Sequence, residues 1–193
     1  PAADAATETA APVAPANTVG AAPSDSHADH TMAGTVDASA EAALYATMRT
    51  LWDQHMQWTY AAVVAFASES PGLQATIERL LDNQVHLGEA VGAFYGAEVG
   101  EQVTALLQAH IELAMPVLEA AKAGDEQALD AAVDAWYANA VEIGDFLTAA
   151  NPHWAAAGSV EMMRTHITQT IAYASAVLGG DHASAIDLYD EAQ

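Results

Sequence analysis

From residue 39 onward, helix-stopping residues cut the chain into long segments, and each segment carries apolar side chains three and four positions apart. The breaks are "SPG" at 70–72, Gly96, "GD" at 124–125, "NP" at 151–152 and "GG" at 179–180. Ser39 is expected to cap a first helix over 40–69, and Ser70 a second whose first position is Pro71. A third is expected over 98–123, a fourth from the Asp125 cap to about 149, a fifth from the Ser159 cap to 178, and a short sixth from Asp181. Helices of about 26 residues are roughly 39 Å long, and linkers this short force neighbours to run antiparallel. No segment alternates apolar and polar residues as a half-buried strand would. The expected fold is all-α: an up-down antiparallel bundle of four to five long helices with a short C-terminal helix.

Residues 1–38 differ in kind. They are rich in Ala, Pro, Thr and Ser and contain no aromatic residue, Leu, Ile, Lys or Arg. Such a segment cannot bury enough apolar surface to offset its ordering entropy, so it reads as an extended low-complexity linker or stalk. The expected division is therefore a tail over 1–38 and a helical-bundle domain over 39–193.

The 193 residues include 26 Asp and Glu against 4 Lys and Arg, a formal net charge of −22. A field of that sign repels phosphate backbones, which argues against nucleic acid as a partner. Cysteine is absent, so thiolate chemistry and disulfides are excluded. No run of 18 consecutive apolar residues is present, so no membrane span is expected. The start at "PAADAATETA" reads as that of an exported product, secreted, periplasmic or at the cell surface, released from a signal peptide or held by a lipid anchor.

Against this background three histidines stand out. The first, third and fifth helices each carry a large apolar pair, two residues, then histidine: Leu51, Trp52 and His55; Leu106, Leu107 and His110; Met162, Met163 and His166. The second and fourth carry a pair, one residue, then asparagine: Leu80, Leu81 and Asn83; Trp136, Tyr137 and Asn139. Side chains three and four apart share a helix face, so all five polar residues are expected to point inward. Each lies about 7 to 15 residues past its helix start, which predicts a polar layer at one level of an apolar core.

A buried layer must satisfy its own hydrogen bonds, because each unpaired group costs about 1–3 kcal/mol. Imidazoles and amides pairing with one another would do so, and would fix helix register. The same residues fit a metal centre, with His55, His110 and His166 as ligands while Asn83 and Asn139 orient them or bind water. A thiolate-free set of this kind suits copper, zinc, nickel or iron. Asp53, Asp82 and Glu112 are the nearest carboxylates in sequence but lie off the apolar stripe.

The series "LWDQHMQWT", "LLDNQVHLGEAVGAFYG", "LLQAHIELA", "AAKAGD", "WYANAVEIGDFL", "NPHW" and "MMRTHITQT" resembles an uncharacterised prokaryotic family of small helical-bundle proteins, over about residues 44–190. The resemblance implies the bundle fold, singles out the same five residues and implies no activity. Family members continue past "IDLYDEAQ" with another apolar helical stretch, so a longer C-terminus is expected. His86, His153 and His182 fall outside the shared pattern.

Other features have plainer readings. Pro116 is expected to bend the third helix near His110. Met48, Met56, Met115, Met162 and Met163 read as adaptable core filling, and Trp52, Trp58, Trp136, Trp154, Tyr95 and Tyr137 as large core aromatics. "SHADHTM" brings His27, Asp29, His30 and Met32 together in the tail, in the manner of loose copper-binding segments. Enzymatic motifs are missing: there is no Gly-x-Ser-x-Gly, no phosphate-binding glycine loop and no His-Glu-x-x-His. The functional expectation is an exported acidic bundle whose His/Asn layer binds a transition metal for storage, scavenging or sensing. The alternative is a structural subunit of a surface assembly, a homo-oligomer or filament whose N-terminal tail packs on neighbouring copies.

Overall fold

The computed structural model describes residues 38–156 and 158–192. The tail, and with it His27, Asp29, His30 and Met32, lies outside them. Among the described residues there are seven helices and no strand: α1 (Ala38–Ala67), α2 (Leu73–Tyr95), α3 (Ala97–Ala123), α4 (Glu126–Ala150), the single turn α5 (His153–Ala156), α6 (Ser159–Leu178) and α7 (His182–Ala192). The all-α bundle is thus as expected, with five long helices and a short C-terminal one.

Most of the helix ends follow the local chemistry of the chain. Gly124 adopts the left-handed conformation (φ 69°) that closes α3, and Asp125 Oδ1 accepts from the Ala128 amide at 3.0 Å to open α4. Asp181 opens α7 in the same way, accepting from the Ser184 amide at 3.1 Å. Three expected caps sit differently: Ser39 is the second residue of α1 rather than the residue before it. Ser70 Oγ accepts from the Gly72 amide at 3.2 Å, Pro71 and Gly72 form a turn, and α2 starts only at Leu73. Ser159 is the first residue of α6 rather than its cap; its hydroxyl donates to the Gly144 carbonyl at 3.1 Å, tying α6 to α4. Helix α3 runs unbroken through Pro116.

Consecutive helices pack as neighbours, α1 on α2, α2 on α3, α3 on α4, α4 on α6 and α6 on α7, while α1 and α3 also reach α6. Tyr60 on α1 meets Tyr189 on α7 with ring centroids 5.0 Å apart, which closes the circuit. The histidine-bearing helices α1, α3 and α6 therefore share the interior. Two close approaches draw them in. A Cβ on Gly88 of α2 would stand 2.6 Å from the Gly100 carbonyl oxygen of α3, and one on Gly144 of α4 would stand 2.7 Å from Val160 Cα of α6. Only glycine permits backbones this near.

The buried core of the described residues divides into three clusters. Val63, Leu118, Tyr173, Ala174 and Val177 fill one end with Ala185 of α7. Val117, Trp136, Ala140, Ile143, Met163 and Ile167 join α3, α4 and α6. Ala62, Leu80 and Ile111 join α1, α2 and α3. No helix of the described residues is long and apolar enough to cross a membrane.

Candidate metal centre

All five residues expected inside are buried: His55, Asn83, His110, Asn139 and His166 are 3, 0, 2, 4 and 7 % exposed. The three imidazoles come together across α1, α3 and α6. His166 is the shared member, with ring centroids 5.4 Å from His55 and 5.8 Å from His110. Tryptophans flank the group: Trp52 stacks on His55 at 5.0 Å and lies 5.2 Å from His166, and Trp136 lies 5.2 Å from His110.

The two asparagines are used differently. Asn139 Nδ2 donates to the Leu106 carbonyl at 3.3 Å, which turns its oxygen toward His110; Oδ1 lies 2.9 Å from Nδ1. An amide oxygen only accepts, so His110 carries its proton on Nδ1 and leaves Nε2 as a bare lone pair. Asn83 Nδ2 donates to the Leu51 carbonyl at 3.0 Å, and it is the neighbouring Gln84 whose Nε2 sits 3.2 Å from His55 Nδ1. Gln84 Nε2 also lies 2.8 Å from the Leu80 carbonyl and 3.2 Å from Asn83 Oδ1, contacts that only a donor satisfies. His55 Nδ1 therefore accepts, and its proton is on Nε2. The two rings hold opposite tautomers.

Gln84 is the residue that sequence reasoning missed, although a signal for it is present. His55 and Gln84 are 29 residues apart, as are His110 and Asn139. Matching apolar pairs instead aligns Asn83 with Asn139, one position off, and the two segments read "NQVHLGE" and "NAVEIGD". Both alignments hold in part: Asn139 performs alone the two contacts that Asn83 and Gln84 divide. The His166 ring has aromatic neighbours on both sides and takes no part in this amide pattern.

Burial disfavours charge on every imidazole of the layer. It holds His110 down to about 4, partly opposed by the bond to Asn139, and His166 down to about 3 with help from His110. His55 also lies well below its usual value, through burial first and then the other two rings. At neutral pH all three are uncharged, the form in which imidazole binds a metal.

A cavity of about 50 Å³ adjoins the layer, lined by His55, His110, His166, Thr59, Thr170 and Met115 among apolar side chains. That is room for an ion or a few water molecules. Three buried polar atoms on its walls have no protein partner, His110 Nε2, Thr59 Oγ1 and Trp136 Nε1, and Gln84 Oε1 beside His55 has none either. Ligand nitrogens stand about 2.0–2.1 Å from zinc, which puts the ring centroids of three histidines around one ion roughly 5–5.5 Å apart. The separations to His166 are near this range. As they stand, though, the described residues include no group of three His, Asp or Glu arranged to hold an ion. With its proton on Nε2, His55 presents no lone pair on that nitrogen, and turning the Gln84 amide to change this would set Oε1 against the Leu80 carbonyl oxygen and Asn83 Oδ1. Of the three imidazoles, His110 is the one whose free Nε2 lone pair is fixed by a hydrogen bond at its other nitrogen.

The remaining candidates lie elsewhere. Asp53, Asp82 and Glu112 are exposed, as are His86, His153 and His182. Met56 and Met163 are core residues, Met115 lines the cavity, and Met162 is 53 % exposed. Trp58 carries Arg79 over its ring at 5.1 Å, and Tyr95 packs on Trp154 at 5.7 Å. The chain matches no protein-family model, and neither a curated protein nor a solved structure is significantly similar to it.

Proposed function

We propose that the layer formed by His55, His110 and His166 binds one transition-metal ion, copper, zinc, nickel or iron, and that the bundle serves storage, scavenging or sensing outside the cytoplasm. The observation that carries this reading is the buried, unprotonated and unpartnered Nε2 of His110 on the wall of a cavity that two further imidazoles share. A buried polar atom without a partner calls for an ion or a water, and a lone pair aimed at a small cavity is what an ion takes. Asn139 would hold the His110 ring and its tautomer from outside the coordination sphere, the role carboxylates and carbonyls play behind metal-bound histidines. Bound metal would supply Lewis acidity there; the chain's own residues hold the rings, keep them uncharged and exclude water.

The test is elemental analysis of the purified protein beside a variant with His55, His110 and His166 all changed to Ala, with His110→Gln as a milder companion whose helicity is checked by circular dichroism. One equivalent of metal per chain, lost in both variants, is the expected result. Metal at trace levels in the unaltered protein, even after incubation with each of the four ions, would reduce the layer to a device for helix register and favour the reading of a structural subunit.

A further inference from the structure

We infer that the ion this layer selects is monovalent and soft, copper(I), in preference to any divalent ion. The inference rests on the metal reading above and is drawn from what lines the cavity. Its polar lining consists of three imidazoles, the hydroxyls of Thr59 and Thr170 and the indole N–H of Trp136; every other lining residue is apolar or, at Met115, a thioether. No carboxylate is among them, and the nearest in sequence, Asp53, Asp82 and Glu112, are exposed. A divalent ion held by neutral ligands alone would keep its whole charge inside an apolar bundle. The penalty for burying charge grows as its square, so one positive charge costs about a quarter of what two cost.

Coordination number points the same way. Zinc with three histidines keeps a fourth position for water or substrate, and nickel and iron want more ligands still. The apolar part of the lining, Ile111, Ala114, Leu118 and Ile171 among it, offers no ligand to a hard ion, and no charged group offsets a second positive charge. Copper(I) is a closed-shell ion that is content with two or three nitrogen ligands, and it accepts thioether sulfur, which Met115 supplies on the same cavity. The flanking rings of Trp52 and Trp136 crowd the imidazoles further against water.

The experiment uses the full chain carrying His27→Ala and His30→Ala, which silences the imidazoles of the tail. Copper(I) is titrated anaerobically against the chromophoric chelator bicinchoninate, and zinc(II) against a zinc-selective chromophoric chelator, both at pH 7. The expected result is one copper(I) per chain, with X-ray absorption showing a shell of two to three nitrogens, and zinc at least about 100-fold weaker. Zinc held as tightly as copper(I) overturns the inference and leaves the metal reading standing. Retention of neither ion overturns both, as does copper(I) that survives intact in the His110→Gln chain.

Discussion

Asn139 reaches two parts of α3 at once: its Oδ1 lies 2.9 Å from His110 Nδ1 and its Nδ2 lies 3.3 Å from the carbonyl of Leu106, one helical turn earlier. The amide thereby locks a ring orientation, a tautomer and the register of α4 against α3 in one contact. Replacing Asn139 by Leu keeps the volume and strands the buried His110 Nδ1–H. The expected loss is about 1–3 kcal/mol, seen as a lower urea midpoint at unchanged slope. The same variant should bind metal roughly 10- to 100-fold more weakly. Unaltered stability would mean that water replaces the amide.

Asn83 and Gln84 are adjacent and both wholly buried, yet only Gln84 touches an imidazole. Gln84→Met should move the His55 proton between its nitrogens, visible in the ¹⁵N shifts of the ring. Asn83→Leu should cost comparable stability through the lost Leu51 contact and leave those shifts in place. A tautomer change in the Asn83 variant alone would reverse the assignment of roles.

Stability should fall as the solution is acidified. An unfolded imidazole titrates near 6.5, whereas His110 and His166 are held at about 4 and about 3. Between those limits the unfolded chain binds more protons than the folded one, so the contribution of the layer is fully present above about pH 6.5 and is lost as pH falls toward the folded values. For two histidines the loss approaches several kcal/mol, on the order of 1.4 kcal/mol per pH unit for each. His166→Leu should lower the slope of unfolding free energy against pH by about one proton between pH 5 and 6. Equal slopes in the two proteins would show that the ring titrates normally.

The approach of α4 to α6 depends on Gly144. A methyl group there would meet Val160 Cα at 2.7 Å and its amide nitrogen at 2.8 Å, and backbone atoms of a packed helix do not yield cheaply. Gly144→Ala is expected to destabilise by about 1–3 kcal/mol, against the gain in helix propensity that Ala would otherwise bring. Thermal unfolding of this variant beside an exposed helix control such as Asp134→Ala would separate the two effects.

Helix periodicity and punctuation in the chain lead directly to six of the seven helices, because a stop at Gly96, Gly124 or Asn151 and an apolar stripe between stops are local properties. The inward direction of His55, Asn83, His110, Asn139 and His166 follows from the same stripes, and burial bears it out in each case. Caps proved less legible where a second partner competed: Ser159 is drawn to the Gly144 carbonyl of a neighbouring helix rather than to its own amides. Periodicity identifies a face but not the offset between two faces. Asn83 and Gln84 both lie within the buried arc of α2, and which of them meets His55 depends on a shift of about 1.5 Å along the helix axis. That shift is settled by side chains packing between α1 and α2. The opposite tautomers of His55 and His110, and the placing of His166 between them, arise in the same way, from contacts between residues that the chain holds 29 to 111 positions apart.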